Sequence, residues 1–258
     1  MSQKRIHAFG KSLIIFFLII ILLSGTASAQ FVKGFSIGWG LKTTEIVGNN
    51  PATLPFEESD PNKPPAFGGG FIGPQQGMEL LFEFPIGTNN DFTLPLGIDY
   101  IFFQGLQHIP QTYYMIQDLE NVVDVKSLSL GLNYALVKYK VANAKIYVGL
   151  EAKTSFIGKN EFTIITNYHQ LDSVDISKSS EKESCVRLGG SIKLGLEGEI
   201  GDNWFVNIHG TFGVLNLIGR NDSRGELLTP LKNYFIMEEI RESYLYTLQY
   251  SFIIQYRL

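Results

Sequence analysis

A single cysteine, Cys185, stands among 258 residues. One thiol closes no internal disulfide, so sulfur staples nothing in this chain. Histidine is nearly as scarce, at four residues, and no His-x-x-x-His pair or cysteine cluster gives metal-ligand spacing. No metal and no cofactor are expected. Gly68-Gly69-Gly70 lacks the Lys-Ser/Thr that follows the glycines of a phosphate loop, and it reads as a flexible link. Positive charge is in deficit, with 21 Lys+Arg against 25 Asp+Glu, which argues against a nucleic-acid partner. Long apolar runs are also missing, apart from one at the N-terminus.

That run, Leu13 to Leu23, follows Lys4, Arg5 and Lys11 and precedes Ala27-Ser28-Ala29. A basic start, an apolar stretch and an A-x-A site are the parts of a secretory signal peptide, with cleavage expected after Ala29. The run is shorter than the ~20 apolar residues that a spanning helix needs. Removing residues 1–29 takes away three basic residues and no acidic ones, leaving 18 Lys+Arg against 25 Asp+Glu and a net charge of −7. Residues 30–258 are expected to form one domain.

What the chain has in abundance is alternation. From Tyr244 to Leu258 every even position is apolar or aromatic, and the odd positions are mixed. A period of two is a β-strand with one greasy face. The same rule divides the rest into strands at about 31–41, 77–86, 92–103, 125–139, 145–156, 184–200 and 204–218, with the eighth at 244–258. Their connections alternate in length. The links at 87–91, 140–144 and 201–203 are short and turn-rich, whereas those at 42–76, 104–124, 158–183 and 219–242 are long.

The bulky apolar positions share one face on every strand, and the other face carries glycine, serine and charge. A water-soluble ligand-binding barrel would turn its apolar face inward. Small and charged residues instead suit a narrow lumen, and the apolar face suits lipid. A closed barrel also pairs every backbone group, as a bilayer requires. The expected fold is therefore all-β: an eight-stranded antiparallel up-and-down transmembrane β-barrel with long extracellular loops and short periplasmic turns. Lys126 shares the lipid-facing parity and is read as lying at a strand end, within reach of the interface. Trp39, Tyr100, Tyr244 and Tyr246 are placed toward the loop side, and Trp204 and Tyr256 toward the turn side, as interfacial anchors.

In this layout, and in its final strand, the chain resembles the eight-stranded outer-membrane barrels: the OmpA transmembrane domain, OmpX and the PorT-like barrels of Bacteroidetes. Ser251, Tyr256 and Leu258 fit the terminal pattern of that family, while Ile253 stands where glycine is usual and Leu258 replaces the usual terminal phenylalanine. The resemblance covers about residues 30–258. It implies the outer membrane of a Gram-negative bacterium, a monomeric barrel, contact with outer-membrane lipid, and assembly by the barrel-assembly machinery. Secretion-complex subunits or surface ligands are further expected partners.

The lumen-facing charges are read as Glu79, Glu83, Asp99, Glu151, Lys153, Arg187, Lys193 and Glu197. Unpaired charge in a narrow interior is costly, so ion pairs across the lumen are expected, Glu79 with Arg187 and Glu83 with Lys193, plugging the barrel. His209 is read as a polar filler. Glu57, Glu58 and Asp60 read as a solvated acidic loop. The proline-rich first loop is expected to be irregular, and Glu161–Tyr168 to prolong a hairpin beyond the membrane. Residues 231–242 fit either a short helix opened by Thr229-Pro230 or an extended strand. No catalytic residue is assigned, and the chain is read as a non-enzyme acting through its loops, in a structural, surface-interaction or secretion-accessory role. A lipid A-modifying enzyme and a small porin are the competing classes.

Overall fold

The computed structural model describes residues 34–56, 68–87, 91–112, 114–168, 171–179, 182–220, 225–230 and 242–258. The expected signal peptide, Glu57, Glu58 and Asp60, His169, and all of 231–242 except Glu242 lie outside them.

Among the described residues ten strands follow one another: β1 (Ser36–Val47), β2 (Gln75–Ile86), β3 (Phe92–Thr112), β4 (Met115–Tyr139), β5 (Ala144–Ile157), β6 (Glu161–Tyr168), β7 (Ser173–Ser179), β8 (Cys185–Gly201), β9 (Trp204–Ile218) and β10 (Tyr246–Arg257). Eight of them close a ring, in the order β1, β2, β3, β4, β5, β8, β9, β10, with β10 returning to β1. All pairings are antiparallel. The first and last strands close along their whole length, from Ser36 opposite Arg257 to Val47 opposite Tyr246. The fold is an eight-stranded antiparallel transmembrane β-barrel.

Alternation sets its polarity. Leu41, Leu130, Leu150 and Leu194 point outward and are each more than half exposed, as are residues of the same parity around the ring. An apolar belt of this extent is not a water-facing surface. The opposite parity turns Ser36, Lys42, Glu79, Asp99, Ser129, Lys193 and Gln255 into a buried interior. Close approach inside the ring depends on glycine. A Cβ on Gly40 would lie 2.0 Å from the Phe252 carbonyl oxygen, on the seam between β1 and β10. A Cβ on Gly195 would lie 2.3 Å from the Tyr147 ring, which is itself buried and donates to Asn207 Oδ1 at 2.7 Å.

The belt has legible rims. At the turn side the rings of Trp204 and Tyr256 meet at 5.1 Å, and those of Phe92 and Tyr134 at 5.0 Å. At the loop side Tyr100 donates to Asp124 Oδ1 at 2.8 Å, and Lys126 sits 5.9 Å over the Tyr100 ring. Beyond this level the outward positions of β3 and β4 become polar, with Gln104 bonded to Glu120 and His108 facing Asp118.

Three expectations change here. The span 104–124 is not a loop: β3 and β4 continue as a paired ribbon to a tight turn near residue 114. A sheet in water alternates just as one in lipid does, so the ladder gives no signal where it leaves the membrane. Lys126 is consequently inside β4 rather than at its end. Trp39 lies low in the belt, opposite Ile254 and Leu80, because β1 spans 36–47 rather than 31–41. Glu161–Tyr168 does prolong a hairpin beyond the belt: β6 follows β5 along the same flank of β4, from Val122 opposite Glu161 to Met115 opposite Tyr168, and β7 pairs with β6. An outer sheet β3-β4-β6-β7 thus stands above the belt.

Candidate functional site

Two features could carry function: the filled lumen and the outer sheet. The lumen is filled in three tiers.

In the middle tier Lys42 Nζ lies 3.0 Å from Glu79 and 3.1 Å from Asp99, and Lys153 Nζ lies 2.8 Å from Asp99. Lys193 pairs with Glu151. Neutral partners complete the set: Ser251 donates to Glu79 at 2.7 Å, Lys153 donates to Gln249 at 3.2 Å, and Ser191 donates to Glu151 at 3.3 Å. Three lysines thus face three carboxylates. His209 is buried beside them, with Nδ1 3.3 Å from Asn207 Oδ1 and Nε2 3.6 Å from Glu79.

In the turn-side tier Glu197 is held by Lys145 at 3.0 Å and by Arg257. Glu83 accepts from the amides of Asn133 at 3.3 Å and Gln255 at 3.2 Å.

The loop-side tier is apolar, which charge patterning alone did not anticipate. Wall residues Ile46, Ile101, Phe103, Val123, Val125, Ile157, Leu215 and Leu245 point inward. They pack on Ala52 and Phe71 of the first long connection and on Leu227 and Leu228 of the fourth. Phe71 meets Phe103 edge-on at 5.5 Å. Polar side chains tie this cork to the wall. Asn121 donates to the carbonyls of Gly69 at 3.0 Å and Leu228 at 3.2 Å, and Lys182 donates to the Glu226 carbonyl at 2.5 Å and to Thr229 at 2.8 Å. Arg187 grips Glu242 through Nε and Nη2, and Asn216 also donates to Glu242 at 2.8 Å. The first connection is therefore not wholly irregular: Pro51–Thr53 forms a 3₁₀ turn capped by Asn50, whose Oδ1 accepts from Ala52 N at 2.9 Å.

The eight charges singled out in the sequence all turn into the lumen, but their partners differ from those expected. Arg187 pairs with Glu242 rather than Glu79, and Lys193 pairs with Glu151 on the neighbouring β5 rather than with Glu83. Counting residues from a strand end ignores the stagger between neighbouring strands that closing a ring requires. Two lumen charges lie outside the expected set: Lys42, one residue past the expected end of the first strand, and Arg257, among the mixed positions of the last strand.

Outside the belt, His108 Nδ1 lies 2.5 Å from Asp118 Oδ1 on the outward face of the outer sheet, and Asn167 donates to the other Asp118 oxygen at 3.4 Å. The sequence reading had placed His108 in a loop.

No protein-family model matches the chain, and comparison with curated proteins gives no match. Among solved structures the chain is similar to Ail, the attachment invasion locus protein of Yersinia pestis, in complex with the heparin analogue sucrose octasulfate. That alignment has 10% identity, covers 88% of this chain and 99% of that one, and has a TM-score of 0.42. It is also similar to Neisserial surface protein A, NspA, at 10% identity over 88% and 98% of the two chains, with a TM-score of 0.43.

Proposed function

We propose that the chain is an integral outer-membrane β-barrel protein without catalytic activity, which holds a rigid interaction surface beyond the membrane. The observation that carries this reading is the closure of the lumen combined with the outer sheet. Paired charge in the middle tier and an apolar cork above it fill the barrel, and the space between them measures about 10 Å³. The ordered β3-β4-β6-β7 sheet is instead built outward. Its last strand, β7, is exposed along nearly its whole length and pairs only with β6 among the described strands. Rigid scaffolds that display surface segments are a common way to build binding function.

Within this reading the barrel is a monomer in lipid, delivered by its signal peptide and inserted by the barrel-assembly machinery, and the OmpA, OmpX and PorT-like barrels are its kin. The sheet serves surface attachment or an accessory role in a secretion complex. Crosslinking in intact cells followed by purification tests it. Recovery of surface polymers or host proteins selects attachment, and recovery of secretion subunits selects the accessory role. Crosslinks that persist unchanged when β6 and β7 are deleted refute a role for the sheet.

A second reading, a lipid-modifying enzyme, is favoured by one observation, the outward His108–Asp118 pair. A change in lipid A mass that depends on expression of this chain and disappears in His108→Ala would establish it.

A further inference from the structure

The lumen opens toward the short turns into a cavity of about 230 Å³. Lys138, Lys140 and Lys145, from the β4–β5 turn and its flanks, line one side, and Arg257 of β10 lines another. Two carboxylates also border the cavity, but both lie at its floor, with Glu83 and Glu197 each 2% exposed. Glu197 is already engaged by Lys145 and Arg257. Lys138 is bound to Asp91 at 2.6 Å. Lys140 lines the cavity and has no charged partner among the described residues. Arg257 stacks on the Phe205 ring at 3.8 Å, which orients its guanidinium plane. Ser36 borders the same space at 1% exposure, and its hydroxyl has no hydrogen-bond partner among the described residues.

An incoming solute therefore meets cationic donors from two sides above the two buried carboxylates, with Lys138 alone neutralised by the part-exposed Asp91, and a buried hydroxyl lies below. We propose that this turn-side vestibule binds a small oxyanion, phosphate in chemical class, either free or as a lipid headgroup. Lysines supply point charges, the guanidinium a fork, and Ser36 a neutral donor. A water occupies about 30 Å³ of liquid, so the cavity holds one phosphate group with part of its hydration shell. The site depends on the vestibule alone, so its failure would leave the surface-interaction reading intact.

The test uses the full mature chain folded in octyl glucoside, titrated with inorganic phosphate at constant ionic strength and followed by amide NMR. Saturable shifts at Ser36, at the 140–144 turn and at Arg257 are expected, with none at Lys178 on the outer sheet. Lys140→Gln and Ser36→Ala should each weaken binding about tenfold, the worth of one charge-assisted hydrogen bond, and a Lys178→Gln control should leave it unchanged. Nanodiscs of phosphatidylglycerol, compared with phosphatidylcholine, distinguish the sources. The same shifts without added phosphate identify a headgroup, and shifts that need added phosphate identify the free ion. Linear, non-saturating shifts, or equal responses in Lys140→Gln and wild type, overturn the proposal.

Discussion

Replacing Asp99 with Asn tests whether the middle tier holds the barrel as a connected unit. Asp99 is 3% exposed and bonds Lys42 at 3.1 Å and Lys153 at 2.8 Å. The amide keeps the shape and removes the charge. Lys42 retains Glu79 at 3.0 Å, whereas Lys153 retains the neutral Gln249 at 3.2 Å. One buried ammonium thus loses its ion-pair partner. Breaking a buried ion pair from one side costs about 3–5 kcal/mol, and replacing both partners by apolar groups is often close to neutral. Asp99→Asn is therefore expected to destabilise by about 3–5 kcal/mol, and the double variant Asp99→Asn/Lys153→Met to recover at least half of that. Urea titration in lipid vesicles reads both values. Trp39 and Trp204, both outward-facing, report loss of lipid contact by a fluorescence red shift. A loss under about 1 kcal/mol for the single variant, or a double variant weaker than the single, would refute the argument that these charges are coupled.

Arginine at Leu130, an outward residue in the belt, should cost about 2–4 kcal/mol in the same titration if that face meets lipid, and little if it meets water. Gly40→Val places atoms against the Phe252 carbonyl and should block closure of β1 on β10, seen as loss of the compact band on unheated gels. Planar bilayers should show no large stable conductance for the wild type. Replacing Leu227 and Leu228 by Ser, which cuts the cork where it is most deeply buried, should introduce brief openings while the lysine tier remains.

Strand existence and facing were legible because both follow from parity along one strand. Ile37, Trp39 and Leu41 point out and Gly38 and Gly40 point in whatever their neighbours are. What parity does not contain is the offset between strands, and the pairing of Lys193 with Glu151 instead of Glu83 traces to that. The Arg187–Glu242 pair joins a strand to a residue far along the chain, on a connection whose path no local pattern records. The cork was hidden differently. Ile101, Phe103, Val123 and Val125 sit at inward positions where a polar residue was expected, so their runs read as uniformly apolar and the inner face lost its contrast. Leu227 and Leu228 look like any loop leucines until the lumen gives them a place. His108 and Asp118 were missed as a pair because the ribbon that sets them opposite each other was read as a loop.

β4 belongs to both halves of the molecule. Its 25 residues pair with β5 at one end and β6 at the other, with β3 along its flank. At about 3.4 Å per residue it is on the order of 80 Å long, far more than the bilayer is thick. Mechanically it is a continuous rod. A pull on the outer sheet would run along the strand axis and load many hydrogen bonds at once, in shear, instead of unzipping them one after another. A surface tether built on this strand should resist force better than loops of equal length, and would pass that load straight to the wall that carries Ser127, Ser129 and Asn133.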